Sequence, residues 1–264
     1  MRSSSFFSQR ALGLLLAAFG PTLSAAQETS PPPAAPAAAT AEEESSAGTF
    51  SGNVALTSEY YFRGITQTGA APTLQGGFDY EVSLASPVAL YLGVWGSNVD
   101  FNEGGDVDGA TIEIDWYGGL KGNFGESRTS WDVGFIYYAY PGDAASLDDY
   151  DFLDFQSALG HDFGAAAVTA SVNYSQDNFG ASGTGVYPKL TLDVPIPSVK
   201  GMALSGYLAK QFIEKEAVFG APDYVEWNVS ATLSALGFDL SIAYSDTDIP
   251  NRKSAFVFSA ARSF

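Results

Sequence analysis

From Phe50 to the final residue, the chain alternates apolar and polar side chains with a period of two, in unusually long runs. In "NVALTSEYYFRG", Val54, Leu56, Ser58, Tyr60 and Phe62 share one face, and Ala55, Thr57, Glu59, Tyr61 and Arg63 share the other. In "TLQGGFDYEVSL", Leu74, Phe78, Tyr80, Val82 and Leu84 alternate with Gln75, Asp79, Glu81 and Ser83. In "TIEIDWYGGL", Ile112, Ile114, Trp116 and Leu120 oppose Glu113, Asp115 and Tyr117. In "SWDVGFIYYAY", Trp131, Val133, Phe135 and Tyr137 oppose Asp132, Ile136 and Tyr138. Only a strand puts alternate residues on opposite faces, and the density of glycine and β-branched residues opposes helix.

This pattern predicts about twelve strands, near 50–63, 73–85, 88–97, 110–120, 129–140, 151–160, 165–175, 186–194, 202–211, 224–234, 237–245 and 254–264. The fit is weaker at 151–160 and 202–211. Most runs exceed the ~5–6 residues of an average globular strand and suffice to cross a bilayer at a tilt. The connections alternate in length. "GITQTGAAP", "NVDFNEGGDVDG", "PGDAASLDDY", "SQDNFGASGTG", "FIEKEAVFGAPD" and "SDTDIPNRK" are long, whereas "SP", "HDFG" and "AL" are short, with "KGNFGESR" and "PIPSVKG" as longer exceptions. Short turns at one end and long loops at the other describe an all-β, antiparallel, up-and-down transmembrane β-barrel. A soluble sandwich or lipocalin-like barrel alternates too, with its apolar face turned inward. Strand length, the acidic long loops and the apolar chain end favour the membrane form.

Upstream of the strands lie two segments of different character. Residues 1–26 carry Arg2 and Arg10, a short apolar run over Ala11–Phe19, and small residues at Ser24 and Ala26. This is the layout of a secretory signal peptide cleaved after Ala26, and the apolar run is too short to span a bilayer. Residues 27–48 are Pro/Ala-rich and then acidic, without apolar periodicity, which predicts a disordered linker on the periplasmic side. Residues 49–264 form the barrel. The chain has no cysteine, so no disulfide holds it together although export would permit one. Its net charge of −18 excludes nucleic acid as a partner, since phosphate binding needs clustered Lys and Arg. Charged residues are only 16%, below the ~25% of soluble domains, as expected of a chain with a lipid-facing surface.

If the apolar face meets lipid, the polar face lines the interior and every backbone group pairs around the closed barrel. Tyr60, Phe62, Trp116, Trp131, Tyr137, Tyr224 and Trp227 then fall toward strand ends, where interfacial aromatic girdles belong. Glu59, Asp79, Glu81, Glu113, Asp115 and Asp132 gather on the interior face, with Arg63 as the main nearby cation and Lys189 with Asp193 as a second patch. Two readings follow. These side chains line a narrow aqueous path for small cationic or dipolar solutes, or Arg63 and the tyrosines plug the barrel as a hydrogen-bonded network, leaving a structural or adhesive protein. About eight strands give an interior that side chains fill and about sixteen leave a channel, and twelve lies between.

The long loops are acidic and form a solvated rim, which could share divalent cations with lipopolysaccharide. "DVDG" (106–109) resembles the start of a calcium loop, but the position of the closing glutamate holds Tyr117. The single histidine, His161, sits in a short connection at the end opposite Ser182, so no Ser–His pair forms. One histidine and no cysteine do not make a zinc site. We therefore expect no catalysis and no cofactor, with an outer-membrane lipid hydrolase as a remote alternative.

The blocks "GNVALTSEYYFRGITQT", "PTLQGGFDYE", "LYLGVWGSNVDF", "EIDWYGGLKG", "DVGFIYYAYPG" and "FDLSIAYSDTDI" resemble the proteobacterial Gcw_chp family, also called TorF-type porins, from about Gly52 to the C-terminus. The resemblance implies an outer-membrane barrel and passive diffusion, and it carries over no catalytic residue. It also implies that Phe264 ends a closing strand read by the barrel-assembly machinery as an insertion signal. Arg262 interrupts that strand's lipid-facing row, close enough to the end to snorkel.

Overall fold

The computed structural model describes residues 48–101, 109–142 and 150–264. The signal peptide (1–26) and nearly all of the linker (27–48) lie outside the described residues, as do Glu103, Asp106, Asp108, Asp143, Asp148 and Asp149 of the acidic loops.

Twelve strands close into one antiparallel barrel: β1 (Thr49–Thr57), β4 (Thr73–Ala85), β5 (Val88–Asn98), β6 (Ile112–Asn123), β7 (Thr129–Ala139), β8 (Phe152–Asp162), β9 (Ala167–Ser175), β10 (Gly185–Pro195), β11 (Met202–Ile213), β12 (Tyr224–Ala235), β13 (Phe238–Thr247) and β14 (Ala255–Ser263). Each pairs with its sequence neighbours, and β1 pairs with both β4 and β14 to close the ring. The two weakly patterned segments, now β8 and β11, are full strands. β6 runs three residues past the expected end, which draws Lys121 onto the interior row opposite Ala89. Among the described residues, no helix is long and apolar enough to cross a membrane.

Burial settles which face is which. Leu56, Leu74, Phe78, Leu92, Trp116, Phe155, Leu190, Leu208, Val229 and Phe258 point outward and are exposed, while their polar neighbours in sequence are covered. An apolar exterior around a polar interior is the inverse of a soluble barrel and matches a lipid environment. Of the aromatic residues expected at the girdles, Trp116 and Tyr137 are exposed on the outer face, and Trp131 and Trp227 are half-buried on outward rows. Tyr60, Phe62 and Tyr224 do not belong there. All three turn into the barrel.

The reason lies in the first strand, which ends at Thr57 rather than at residue 63. The alternation of "SEYYFRG" continues because the segment forms a second, smaller pair of strands, β2 (Tyr61–Phe62) and β3 (Ile65–Thr66). Arg63 and Gly64 are the turn between them, both with positive φ (47° and 72°). Two such residues make the type I′ turn whose twist suits a tight hairpin. Glu59 secures the base of this hairpin rather than lining a strand: its Oε1 accepts from the Ala70 N–H at 3.0 Å, and its carbonyl accepts from Thr57 Oγ1.

At the seam, the chain end is paired. Gly52 and Phe264 exchange two backbone hydrogen bonds, 2.8 and 2.9 Å. The Phe264 ring lies over Gly52, where an added Cβ would stand 2.7 Å from it, and meets Phe78 edge-on at 6.5 Å. The last residue thus reaches across β1 to β4. Arg262 is exposed beside it, with its guanidinium 5.6 Å from the Phe238 ring centre.

Candidate functional site

The hairpin does not lie on the rim. It crosses the lumen and inserts its tip into the far wall, built by β8 to β13. Arg63 donates through Nη2 to Asp154 of β8, and through Nη1 to Gln211 Oε1 of β11 at 3.0 Å. Its guanidinium sits 4.5 Å from the Tyr187 ring of β10 and 4.8 Å from the ring of neighbouring Phe62. The Tyr224 hydroxyl of β12 donates to the Arg63 carbonyl at 2.8 Å. Gly64 fits where no other residue would: a Cβ there would stand 2.4 Å from Thr247 and 2.6 Å from Glu226 Oε2. Positive φ and lack of space together require glycine.

The receiving wall is itself ordered. Asp154 accepts from Asn173 Nδ2 at 3.2 Å and from Ser175 Oγ, and the Tyr187 hydroxyl donates to Glu226. Asp154 and Glu226 are fully buried. On the near side, Tyr60 donates to Glu113 Oε1 at 2.8 Å and packs edge-on against Trp95 at 5.7 Å. Phe62 meets Tyr138 and Phe152, which stack on each other at 4.3 Å. Above the hairpin, Tyr150 and Phe179 stack at 4.8 Å, with Phe101 and Tyr140 edge-on around them. On the other flank Ile65 packs with Ile213, Tyr224 and Ile249. The half of the lumen toward the long loops is therefore filled.

The half toward the short turns is different. Tyr91 and Asp132 are buried there, but Lys121, Gln156, Lys189, Thr191, Asp193 and Tyr207, also on inward rows, are only half-buried, so solvent enters from that end. Here Glu81 forms an ion pair with Lys121 at 2.7 Å, Tyr117 donates to Asp79, and Tyr91 donates to Asp132 at 2.9 Å. Lys189 lies between the rings of Tyr187 and Tyr207.

Of the seven candidate lining residues, five project from the wall: Glu113 and Asp115 in the filled half, and Asp79, Glu81 and Asp132 toward the open half. Glu59 and Arg63 belong to the hairpin, and the partner of Arg63 is Asp154, not an acid of the neighbouring strands. Sequence reasoning passed over Asp154, Gln211 and Glu226, although alternation marks all three as inward. Lys121 opens the segment "KGNFGESR", whose turn residues hide that β6 continues through it. Glu113, Asp115, Asp154 and Glu226 are completely buried, and Arg63 is the one buried cation among the described residues. Neither carboxylate oxygen of Asp115 has a hydrogen-bond partner there. Among the described residues no acidic or histidine group is arranged to hold a metal ion. His161 lies not in a connection but at the exposed end of β8, paired with Thr129 of β7, whose Oγ1 it meets at 2.8 Å. In the loop over Thr184, a main-chain N–H donates to Glu214 and holds its carboxyl below the usual range.

A closed antiparallel barrel with an apolar exterior, a polar lumen, short turns at one end and long loops at the other defines the outer-membrane β-barrel class. Within that class the chain belongs to the Gcw_chp family, described as bacterial protein of unknown function, which matches residues 41–263. The fold is similar to that of an outer-membrane channel from Pseudomonas putida F1, at 13% identity and a TM-score of 0.53, covering 86% of this chain and 99% of that one. The KdgM porin, solved in complex with disordered oligogalacturonate, aligns at 8% identity with a TM-score of 0.49, covering 82% of this chain and 99% of that one. No curated protein matches the sequence.

Proposed function

We propose that this protein is a non-catalytic, porin-like channel of the outer membrane that passes small cationic or dipolar solutes, with the hairpin at 58–72 as its constriction. The observation that carries this reading is a lumen open to solvent from the turn end and lined by acids up to the hairpin tip. A confined acidic wall in low dielectric favours cations and excludes anions. The turn end is periplasmic and the long loops face outward, against lipopolysaccharide. Phe264, paired across the seam, serves the barrel-assembly machinery as the insertion signal. Solutes pass by diffusion, without a cofactor.

The fit of Gly64 and the tip residues into the far wall favours a second reading, a permanently plugged barrel with a structural or adhesive role. Planar-bilayer recording separates the two. The wild type is expected to open rarely, and a variant with residues 60–67 replaced by a Gly/Ser linker to conduct steadily with cation preference. A wild type that inserts and never opens, beside a linker variant that conducts, establishes the plugged reading, and a linker variant that inserts and never conducts refutes the channel. In the conducting variant, Glu113→Gln with Asp115→Asn is expected to move the reversal potential in a salt gradient toward zero. An unchanged potential removes both residues from selectivity.

A further inference from the structure

The contacts around Arg63 divide into those the hairpin brings and those the wall already holds. The wall supplies a buried carboxylate, Asp154, a carboxamide oxygen, Gln211 Oε1, and an aromatic face, Tyr187. Each has a hydrogen-bond partner outside the hairpin, that of Gln211 being the Phe212 carbonyl, to which its Nε2 donates at 3.0 Å. Asn173 and Ser175 hold Asp154, and Glu226 receives the Tyr187 hydroxyl. A carboxylate and a carbonyl-type acceptor in reach of two nitrogens of one planar cation, with a ring at stacking distance, is a complementary set for guanidinium. A spherical ion uses neither the planarity nor the ring.

From these observations we infer that the luminal wall at Asp154, Gln211 and Tyr187 is a binding site for solutes bearing a guanidinium group, occupied in the closed state by the chain's own Arg63. The inference rests on the channel reading and specifies its solute class. Two features of the surroundings agree with it. The site adjoins the open half of the lumen, since the next inward residues on β8 and β10 are half-buried Gln156 and Lys189. The buried layer also holds more acids than Arg63 neutralises, including Asp115, whose oxygens have no hydrogen-bond partner among the described residues. A free guanidinium solute competes with the tethered one for the same three groups, so its binding releases the hairpin tip. Tethering makes Arg63 a strong competitor, so a free solute displaces it only at high concentration, and binding is measured most directly once that side chain is removed.

The test is chemical rescue of the full chain folded in detergent micelles. Arg63→Ala is expected to unfold at lower temperature than the wild type. Methylguanidinium near ten times its dissociation constant is expected to restore about 3–5 °C of that loss. Methylammonium at the same ionic strength is expected to restore none, and the rescue is expected to vanish in Arg63→Ala with Asp154→Asn. Should Arg63→Ala not assemble, Arg63→Gln, which keeps a stem of similar shape, carries the same comparison. Equal effects of the two cations, or rescue that survives the loss of Asp154, overturn the inference. The readout needs no conduction. A barrel that conducts but is not rescued refutes the site alone, and one that is rescued but never conducts refutes the channel.

Discussion

Three residues show how much depends on single side chains here. Gly52 leaves room for the Phe264 ring, which reaches Phe78 beyond it. An aromatic edge contact contributes about 1 kcal/mol beyond its buried area. Phe264→Ala is therefore expected to lower folded-barrel stability by roughly that amount, read from the urea midpoint in micelles. Deleting Phe264 also removes two backbone hydrogen bonds to Gly52 and is expected to cost measurably more. Equal losses would show that the seam does not use them. Asp115 is the opposite case. It is buried near Glu113 and Asp154, and neither of its oxygens has a hydrogen-bond partner among the described residues, an arrangement expected to cost stability. Asp115→Asn is expected to raise the same midpoint by about 1 kcal/mol, since an amide removes the repulsion and supplies donors. Carrying such a carboxylate is the stability–function exchange expected of a working site.

Among the elements, the hairpin of β2 and β3 decides most. It is too short to be stable alone, and its order comes from the wall it meets. Gly64→Ala places a methyl group against Glu226 and Thr247 at positive φ, a strain of about 1–3 kcal/mol. The tip is expected to leave its slot. Trypsin added to the folded protein should then cut after Arg63, a bond sealed in the wild type, and persistent resistance would contradict this fit. Elsewhere the strands follow alternation closely. At one point chemistry interrupts the ladder: Pro188 has no N–H to give, and the β10–β11 register omits Tyr187 and Pro188. Beside the gap Lys210 lies on the outer row, its ammonium 4.3 Å from the Phe212 ring centre, near enough to the loop end to snorkel.

For the whole molecule, closure removes every strand edge of the twelve-stranded wall, but not evenly. The β1–β14 ladder covers only Asn53–Thr57, whereas β1–β4 covers all of β1. The seam is thus the shortest stretch of paired wall. Ala55 and Ala261 face each other across it on the inward row. With no native cysteine present, Ala55→Cys with Ala261→Cys is expected to form one intramolecular disulfide. Oxidation should slow unfolding and reduction should reverse the gain. Failure to form the bond would place the seam in another register.

Much of this molecule was legible in one dimension. Period-two alternation fixes which residues share a face wherever a strand exists. The long alternating runs, the uneven connections and the low charge fraction then select a membrane barrel, because only that environment rewards an apolar exterior. Asp154, Gln211 and Glu226 were marked as inward by the same rule. What alternation could not determine was where the first strand stops. A hairpin in the lumen and a strand in the wall share one period, so "SEYYFRG" reads the same in both. Only the tertiary structure distinguishes them, because the deciding interactions lie across the barrel: Arg63 with Asp154, Gly64 against Glu226 and Thr247, and Tyr224 with the Arg63 carbonyl. Those partners are brought together by closure of the ring, and no local pattern encodes a contact made across its diameter.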